Sequence, residues 1–337
     1  MKQWFIESFQ RIFGDNPTII VPIAAHASGR EIYRLVGESA TAIGSVNANP
    51  KEFAAFYYLT EIFREIGLPV AKIHIADATL GLFLLEDLGE VTLLDVLRAD
   101  KEDKNCEISE NIYALYRQAV TFLPTFQVIG GKKIDFSRCY PRKVFDTQSM
   151  RWDMEYYRDE FLYRYCVGAK QLFSKGHLNK DFDDLALFLS QADSSVFMYR
   201  DFQARNIVVK NGSCRFIDYD LGRRGPIHYD IASILYQSSA KLPKSVRLAL
   251  LTDYLSALEN HISLSRDEFL EFFDGFVLIR LLQVLGTYGK LGLGQGKQYF
   301  LDSIPPSLVN VSERLSESKI LSRLPTLRSS LEAILLV

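Results

Sequence analysis

Cysteine is scarce in this chain, with four in 337 residues. Cys106, Cys139, Cys166 and Cys214 are scattered, without the paired spacing of a zinc site. A disulfide framework belongs to short secreted chains, so reduced thiols are expected. An excess of one charge is equally lacking. Lysine and arginine number 39 against 41 aspartate and glutamate, a net charge of −2, so no overall field draws in nucleic acid or a membrane surface. No run approaches the roughly 18 apolar residues that a membrane span takes. Met1 to Phe13 alternates charged with apolar groups at helical spacing, where a secretory signal has an unbroken apolar centre. Internal repeats, low-complexity tracts and long linkers are missing as well. These absences point to a soluble cytoplasmic protein whose apolar content, 48%, suffices for one or two packed cores.

What the chain does contain is concentrated between residues 196 and 220. Val196-Phe-Met198 leads into Asp201; Asn206 follows, then the apolar run Ile207-Val-Val209. Asn211-Gly212 turns the chain back into Cys214-Arg-Phe-Ile217, which delivers Asp218. The pattern predicts two short strands, an Asn-Gly turn and polar groups at the strand ends. Phosphoryl transfer needs a carboxylate to orient a hydroxyl and take its proton, plus oxygen ligands for Mg2+ on nucleotide phosphates. Asp and Asn are common in turns, and any one of the three is explained that way. The ordered set Asp-x4-Asn-x11-Asp between apolar strands points to catalysis.

Tyr199-Arg-Asp-x4-Asn206 with Ile217-Asp218 resembles the Brenner-type motif and metal-binding aspartate of the aminoglycoside phosphotransferase and choline kinase superfamily. Gly225-Pro-Ile-His-Tyr-Asp-Ile-Ala232 extends the match. Arg205-Asn206, Gly225-Pro226 and Tyr229-Asp230 are most similar to the sugar kinases that phosphorylate N-acetylmuramate and N-acetylglucosamine at the anomeric position. The resemblance implies Asp201 as base, Asn206 and Asp218 as ligands of Mg2+ on ATP, and Asp230 as a brace of the catalytic loop. It covers about residues 18 to 310. Tyr199 stands where many relatives carry a loop-supporting histidine.

Taken in order, residues 2–13 predict an amphipathic helix closed by Gly14. Thr18–Ile23 and Glu31–Val36 predict strands around a small-residue loop. In a kinase-like chain that loop faces the phosphates, which makes Ser28, Gly29 and Arg30 the nucleotide-proximal candidates; an ordinary hairpin loop is the alternative. His26 is expected to be an exposed loop histidine. Thr41–Val46, the third strand, lacks the lysine that grips phosphate in protein kinases, leaving Lys51, Arg30 and Arg34 as candidate cations. The stripe Phe53 to Ile66 predicts a core-facing helix stopped by Gly67 and Pro69. Val70–Ile75 and Leu82–Leu85 predict two more strands. Glu86-Asp-Leu-Gly89 follows, and the resemblance makes it the hinge where backbone groups read adenine, with Glu86 and Leu88 the named positions.

Beyond the hinge the pattern is mainly helical. Thr92 is a candidate N-cap, Lys101 to Glu107 reads as a charged loop, and Ile112 to Val128 as a helix broken at Gly130-Gly131. A helix over roughly Arg151 to Tyr165 carries acidic and aromatic residues, with Trp152, Tyr156 and Phe161 expected in the core. In the sugar kinases an acidic helix occupies this slot, which makes Asp153 and Glu155 substrate candidates beside Arg205 and Arg280. Arg280, alone in an apolar stretch, needs a partner: an ion pair or the substrate. A further helix is predicted over Asp181–Gln191. Asp220 is expected to be a solvated carboxylate on the face of Asp218, a second metal contact being the alternative, and His228 structural.

The fold expected is α+β and bilobal, protein-kinase-like, with a small β-rich N-lobe over 1–88 and a large, mainly helical C-lobe over 89–337. The function expected is a Mg2+- and ATP-dependent kinase of a small molecule, an amino sugar favoured. An aminoglycoside or amino-alcohol kinase, and a non-catalytic nucleotide-binding module, are the alternatives. The sequence leaves the oligomeric state open.

Overall fold

The computed structural model describes residues 1–23, 31–103 and 108–337. Ser28, Gly29 and Arg30 of the expected phosphate loop, with His26 and Cys106, lie outside the described residues.

Five antiparallel strands form the N-terminal sheet. They are β1 (Ile19–Ile23), β2 (Glu31–Val36), β3 (Thr41–Val46), β4 (Ile73–Asp77) and β5 (Leu82–Glu86), in the spatial order β1-β2-β3-β5-β4. The helix Lys2–Phe13 covers one face by burying Phe5 and Phe9. Gly44 on β3 makes room for it, because a Cβ there would come within 2.8 Å of the Phe5 ring. The helix Pro50–Glu65 packs elsewhere on the sheet. It starts where Pro50 cannot donate, under the Asn49 side chain, which accepts from the Lys51 N–H at 3.0 Å. Phe53 stacks on Phe83 of β5 at 4.0 Å between centroids. On the other side Phe63 meets Phe126, Phe197 and Tyr219 edge-on, tying this helix to the rest of the protein.

The remainder is mostly helical and has two large apolar clusters. One gathers Phe126, Phe197, Tyr199 and Phe216; the other centres on Tyr157, Phe161, Phe276 and Leu282. Short strands sit among the helices. β6 (Val196–Met198) pairs with β9 (Arg223–Gly225), and β7 (Ile207–Lys210) with β8 (Ser213–Phe216). Asn211 and Gly212 both have positive φ, 53° and 70°, as a two-residue primed turn requires. This is the bilobal α+β architecture expected.

Several helical boundaries differ from expectation. Lys101–Asp103 is the end of the helix Leu93–Asp103, not a loop; the Lys101 ammonium reaches the carbonyls of Ala240 and Lys241 at 2.8 and 2.7 Å. Gly130-Gly131 does not break its helix. The chain runs from Glu110 through a π-turn over Thr125–Gly130 to Lys133. These glycines are there for close approach: a Cβ on Gly131 would lie 2.8 Å from the Phe197 nitrogen. The helix predicted from Asp181 begins at Lys175, and the one predicted from Arg151 begins at Thr147, where Asp146 accepts from the Ser149 N–H at 2.9 Å. Trp152 is exposed rather than in the core, with the Arg142 guanidinium 3.4 Å over its ring.

Candidate active site

The loop after β6 is held from below by one carboxylate. Asp230, fully buried, accepts the backbone N–H of Tyr199 at 2.7 Å and of Arg200 at 2.9 Å. Gln127 supplies a third donor at 3.4 Å. Burial still raises the Asp230 carboxyl to about 6, against the pull of these N–H groups. Tyr199 is buried too. Its hydroxyl donates to the Ile217 carbonyl at 2.7 Å, joining the loop before Asp201 to the strand end before Asp218. Arg200 takes φ +80°, a conformation that a non-glycine residue keeps only where its surroundings enforce it. Here they do: both Asp153 oxygens accept from its guanidinium at 2.7 Å, and the Tyr229 hydroxyl lies at 2.6 Å.

Asp201 follows this anchored pair. Gln203 donates to its Oδ1 at 3.1 Å, and Arg280 Nη2 lies 3.4 Å from the same oxygen. Burial pushes the Asp201 carboxyl up. Arg280, then Arg205, Arg200 and Arg223, more than reverse this and hold it below the usual carboxylate range. Arg280 thus has its required partner, and that partner is the predicted base itself.

Asn206 sits at the centre of the set. Its Nδ2 donates to the Asp201 carbonyl at 2.9 Å and to Asp218 Oδ2 at 3.2 Å, while its carbonyl accepts from the Ile217 N–H at 3.1 Å. Gln237 fixes the turn between them by accepting the Ala204 N–H at 2.7 Å. Asp218 has φ +67°, so Asp218 and Asp220 do not lie along an extended strand as expected. Asp220 is buried, not solvated, because the chain folds inward here behind Tyr219, whose hydroxyl lies 2.7 Å from Thr60 Oγ1. Among the described residues no three His, Cys, Asp or Glu side chains gather to hold a metal alone. Asn206 and Asp218 nevertheless bring a side-chain amide and a carboxylate together, each with an oxygen to offer. Such hard oxygen donors suit Mg2+ when nucleotide phosphates and water complete the shell.

The other predicted positions divide. Asp153 is turned to Arg200 and braces the loop from a distance. Glu155 pairs with Arg151 at 3.2 Å, four residues earlier on the same helix. Arg205 has its Nε buried without a hydrogen-bond partner among the described residues. Glu86 ends β5, its N–H on the Lys72 carbonyl at 2.8 Å. Leu88 is buried in a small apolar group with Ala71 and Val208, Ile217 packing against it just before Asp218. His228 is buried against Phe269 and Phe276, its ring 4.2 and 5.0 Å from theirs, and burial lowers its pKa to about 3.

Asp87 is a junction that sequence reasoning passed over. Arg34 of β2 donates to it at 2.8 and 3.1 Å and also pairs with Glu90; Lys210 of β7 donates to its carbonyl at 2.7 Å. Burial pushes this carboxyl up, and the Gly89 N–H together with Arg34 brings it below the usual range. Arg34 is therefore engaged at the hinge, while Lys51 stands exposed at the start of its helix. Only the acidic pair Glu86-Asp87 between apolar Leu85 and Leu88 could have drawn attention to this junction.

A five-stranded sheet with one inter-strand helix, set on a helical lobe that presents Asp201, Asn206 and Asp218 together, defines the class: a protein-kinase-like small-molecule phosphotransferase. Residues 20–264 match the phosphotransferase enzyme family, and the chain belongs to it; it is an ATP-dependent phosphotransferase with a hydroxyl acceptor. Two curated relatives are both N-acetylmuramate/N-acetylglucosamine kinases. The one from Pseudomonas aeruginosa is 25% identical over 86% of this chain and 81% of its own. The one from Neisseria meningitidis is 24% identical over 94% and 90%. Among solved structures, a choline kinase from Cryptosporidium parvum matches with a TM-score of 0.59 at 13% identity, covering 98% of this chain and 99% of that one. A spectinomycin phosphotransferase matches with a TM-score of 0.56 at 12% identity, covering 99% and 97%.

Proposed function

We propose that this protein transfers the γ-phosphate of ATP to the anomeric hydroxyl of an N-acetylated amino sugar, N-acetylmuramate or N-acetylglucosamine, in the cytoplasm. The observation that carries the reading is the Asp201–Asn206–Asp218 set, locked by Asp230 and lying beside Arg280. The kind of acceptor is supported by the curated relatives, which cover most of the chain.

In this mechanism the sugar hydroxyl donates to Asp201, which is ionised at neutral pH because the surrounding arginines favour its charged form. Asp201 orients the oxygen toward the γ-phosphorus and takes the proton as the new P–O bond forms and the bond to ADP breaks. A loose phosphoryl transition state asks more of positioning than of base strength, so a depressed pKa is compatible with this role. Asn206 and Asp218 would hold Mg2+, which when bound would neutralise charge on the phosphates. The apolar group of Ala71, Leu88, Val208 and Ile217 would receive adenine, and the backbone from Glu86 to Leu88 would read its edge. Asp230, Tyr199 and the Asp153–Arg200 pair position the loop and touch neither substrate.

The test is ADP release from Mg-ATP with N-acetylmuramate, N-acetylglucosamine, glucose, choline and kanamycin. Activity confined to the N-acetyl sugars is expected. Turnover of choline or kanamycin instead would move the assignment to an amino-alcohol or aminoglycoside kinase. Nucleotide binding with no turnover on any acceptor would make the protein a binding module.

A further inference from the structure

Four arginines act on Asp201, and two of them stand in no direct ion pair with a carboxylate among the described residues. Arg200 is matched by Asp153 and Arg280 by Asp201. Arg205 and Arg223 form no ion pair among the described residues. Arg223 is the more telling, because it is 6% exposed. It stands on β9 opposite Met198 of β6, the strand that leads into Asp201. Its Nε and Nη2 both donate to a single neutral acceptor, the Leu221 carbonyl, at 3.1 and 2.9 Å. A guanidinium carries five N–H donors, and burying its charge without an anion is strongly unfavourable. Burial, with Arg200 adding to it, lowers the Arg223 pKa to about 10.

The charged and titratable groups that act on Arg223 or that it acts on include Arg200, Tyr229, Asp153, Arg142, Asp201 and Cys139. All belong to the helical lobe; none lies on the sheet or at the hinge, where ATP would sit. The missing anion therefore belongs to the acceptor side. N-acetylmuramate differs from N-acetylglucosamine by a lactyl ether that ends in a carboxylate, and a planar guanidinium fork suits that group.

We propose that Arg223 anchors a carboxylate carried by the acceptor, so that the site favours the acidic amino sugar over its neutral counterpart. This rests on the amino-sugar reading above. Losing a charge-assisted hydrogen bond of this kind costs roughly 10- to 100-fold in affinity.

Steady-state kinetics of the full chain and of Arg223→Gln and Arg223→Lys, on both sugars, tests it. In Arg223→Gln the KM for N-acetylmuramate should rise about 10- to 100-fold, while the KM values for N-acetylglucosamine and ATP move far less. Arg223→Lys should keep part of the preference, and it carries the comparison if thermal melts show the Gln variant unfolded. Equal losses on both sugars would reduce Arg223 to a structural residue. A rise in the KM for ATP instead would assign the anion to the γ-phosphate. Either result, or no change, overturns the proposal. If the wild type turns over neither sugar, the amino-sugar reading fails on its own. Calorimetric binding of glucuronate against glucose, with ADP and Mg2+ present, then decides. Preference for the acid that Arg223→Gln abolishes sustains the anchor; equal binding, or none of the acid, overturns it.

Discussion

The helical and sheet sides of this molecule are built on different principles. On the helical side three residues around Asp201 are each pinned at least twice. Tyr199 is held through both its N–H and its hydroxyl, Arg200 through its N–H and guanidinium, and Asn206 through its amide and carbonyl. On the sheet side burial is thin: β1 has no fully buried residue, and one face relies on the small cluster Phe5, Phe9, Leu35, Ala42, Leu82 and Leu84. The link at the hinge runs through charge, Arg34 and Lys210 on Asp87. Chemistry that requires fixed geometry is thus placed where burial and paired hydrogen bonds over-determine it. The sheet side, where the proposed mechanism seats the nucleotide, is the less tightly held half.

The difference can be broken most severely at Asp230. Asp230→Ala leaves the buried N–H groups of Tyr199 and Arg200 without their acceptor, about 1–3 kcal/mol each. Denaturant unfolding should show a loss of a few kcal/mol, and phosphotransfer should collapse with it. Asp230→Asn keeps one acceptor oxygen but turns an NH2 on the N–H that the other oxygen accepted, so it should recover only part of the stability. A variant as stable and active as wild type would show that the loop holds its own shape.

Arg280 sharpens the picture through pH. The Asp201 carboxyl is held below its ordinary range, so the acid limb of kcat/KM should lie below that range too. Activity is then lost only as pH falls through the lowered value. Arg280→Gln removes the leading charge that opposes the burial of Asp201, and the acid limb should move to higher pH. An unmoved limb would mean that Arg280 does not govern Asp201.

His228 tests the same lobe by stability alone. Its folded pKa, about 3 against 6.5, means that the unfolded chain binds a proton which the folded one refuses. Stability should therefore fall as pH drops from 6.5 toward 3, with this residue adding up to about 1.4 kcal/mol per pH unit. His228→Phe should flatten that slope and leave the kinetics at pH 8 unchanged.

The smallest effect is expected on the sheet side. Arg34→Gln loosens the hinge at Asp87, and the KM for ATP should rise about 3- to 10-fold with kcat within about twofold. A large fall in kcat would contradict the division between the two sides.

The same contrast decides what could be read before the fold was seen. That Asp201, Asn206, Asp218 and Asp230 come together was legible because they stand at fixed spacing, on strands marked by Ile207–Val209 and an Asn-Gly turn. The five strands and the helix Pro50–Glu65 were legible from periodicity and from the stop at Gly67 and Pro69. Asp153 read as a substrate group because its aromatic, acidic helix says nothing of the Arg200 that it faces. Gly130-Gly131 read as a helix stop because sequence does not distinguish a glycine that ends a helix from one that admits a neighbouring strand. The Asp87 junction joins residues 34, 87 and 210, far apart in sequence, and no local pattern announces it.

The central claim is that Asp201 serves the transfer and not the nucleotide. The direct measurement is calorimetric titration of a non-hydrolysable ATP analogue with Mg2+ into Asp201→Asn, beside its sugar-dependent turnover. Affinity should stay within about threefold of wild type while turnover falls about 10^2- to 10^4-fold. Undiminished turnover, or a loss of nucleotide affinity that matches the loss of rate, would contradict the account.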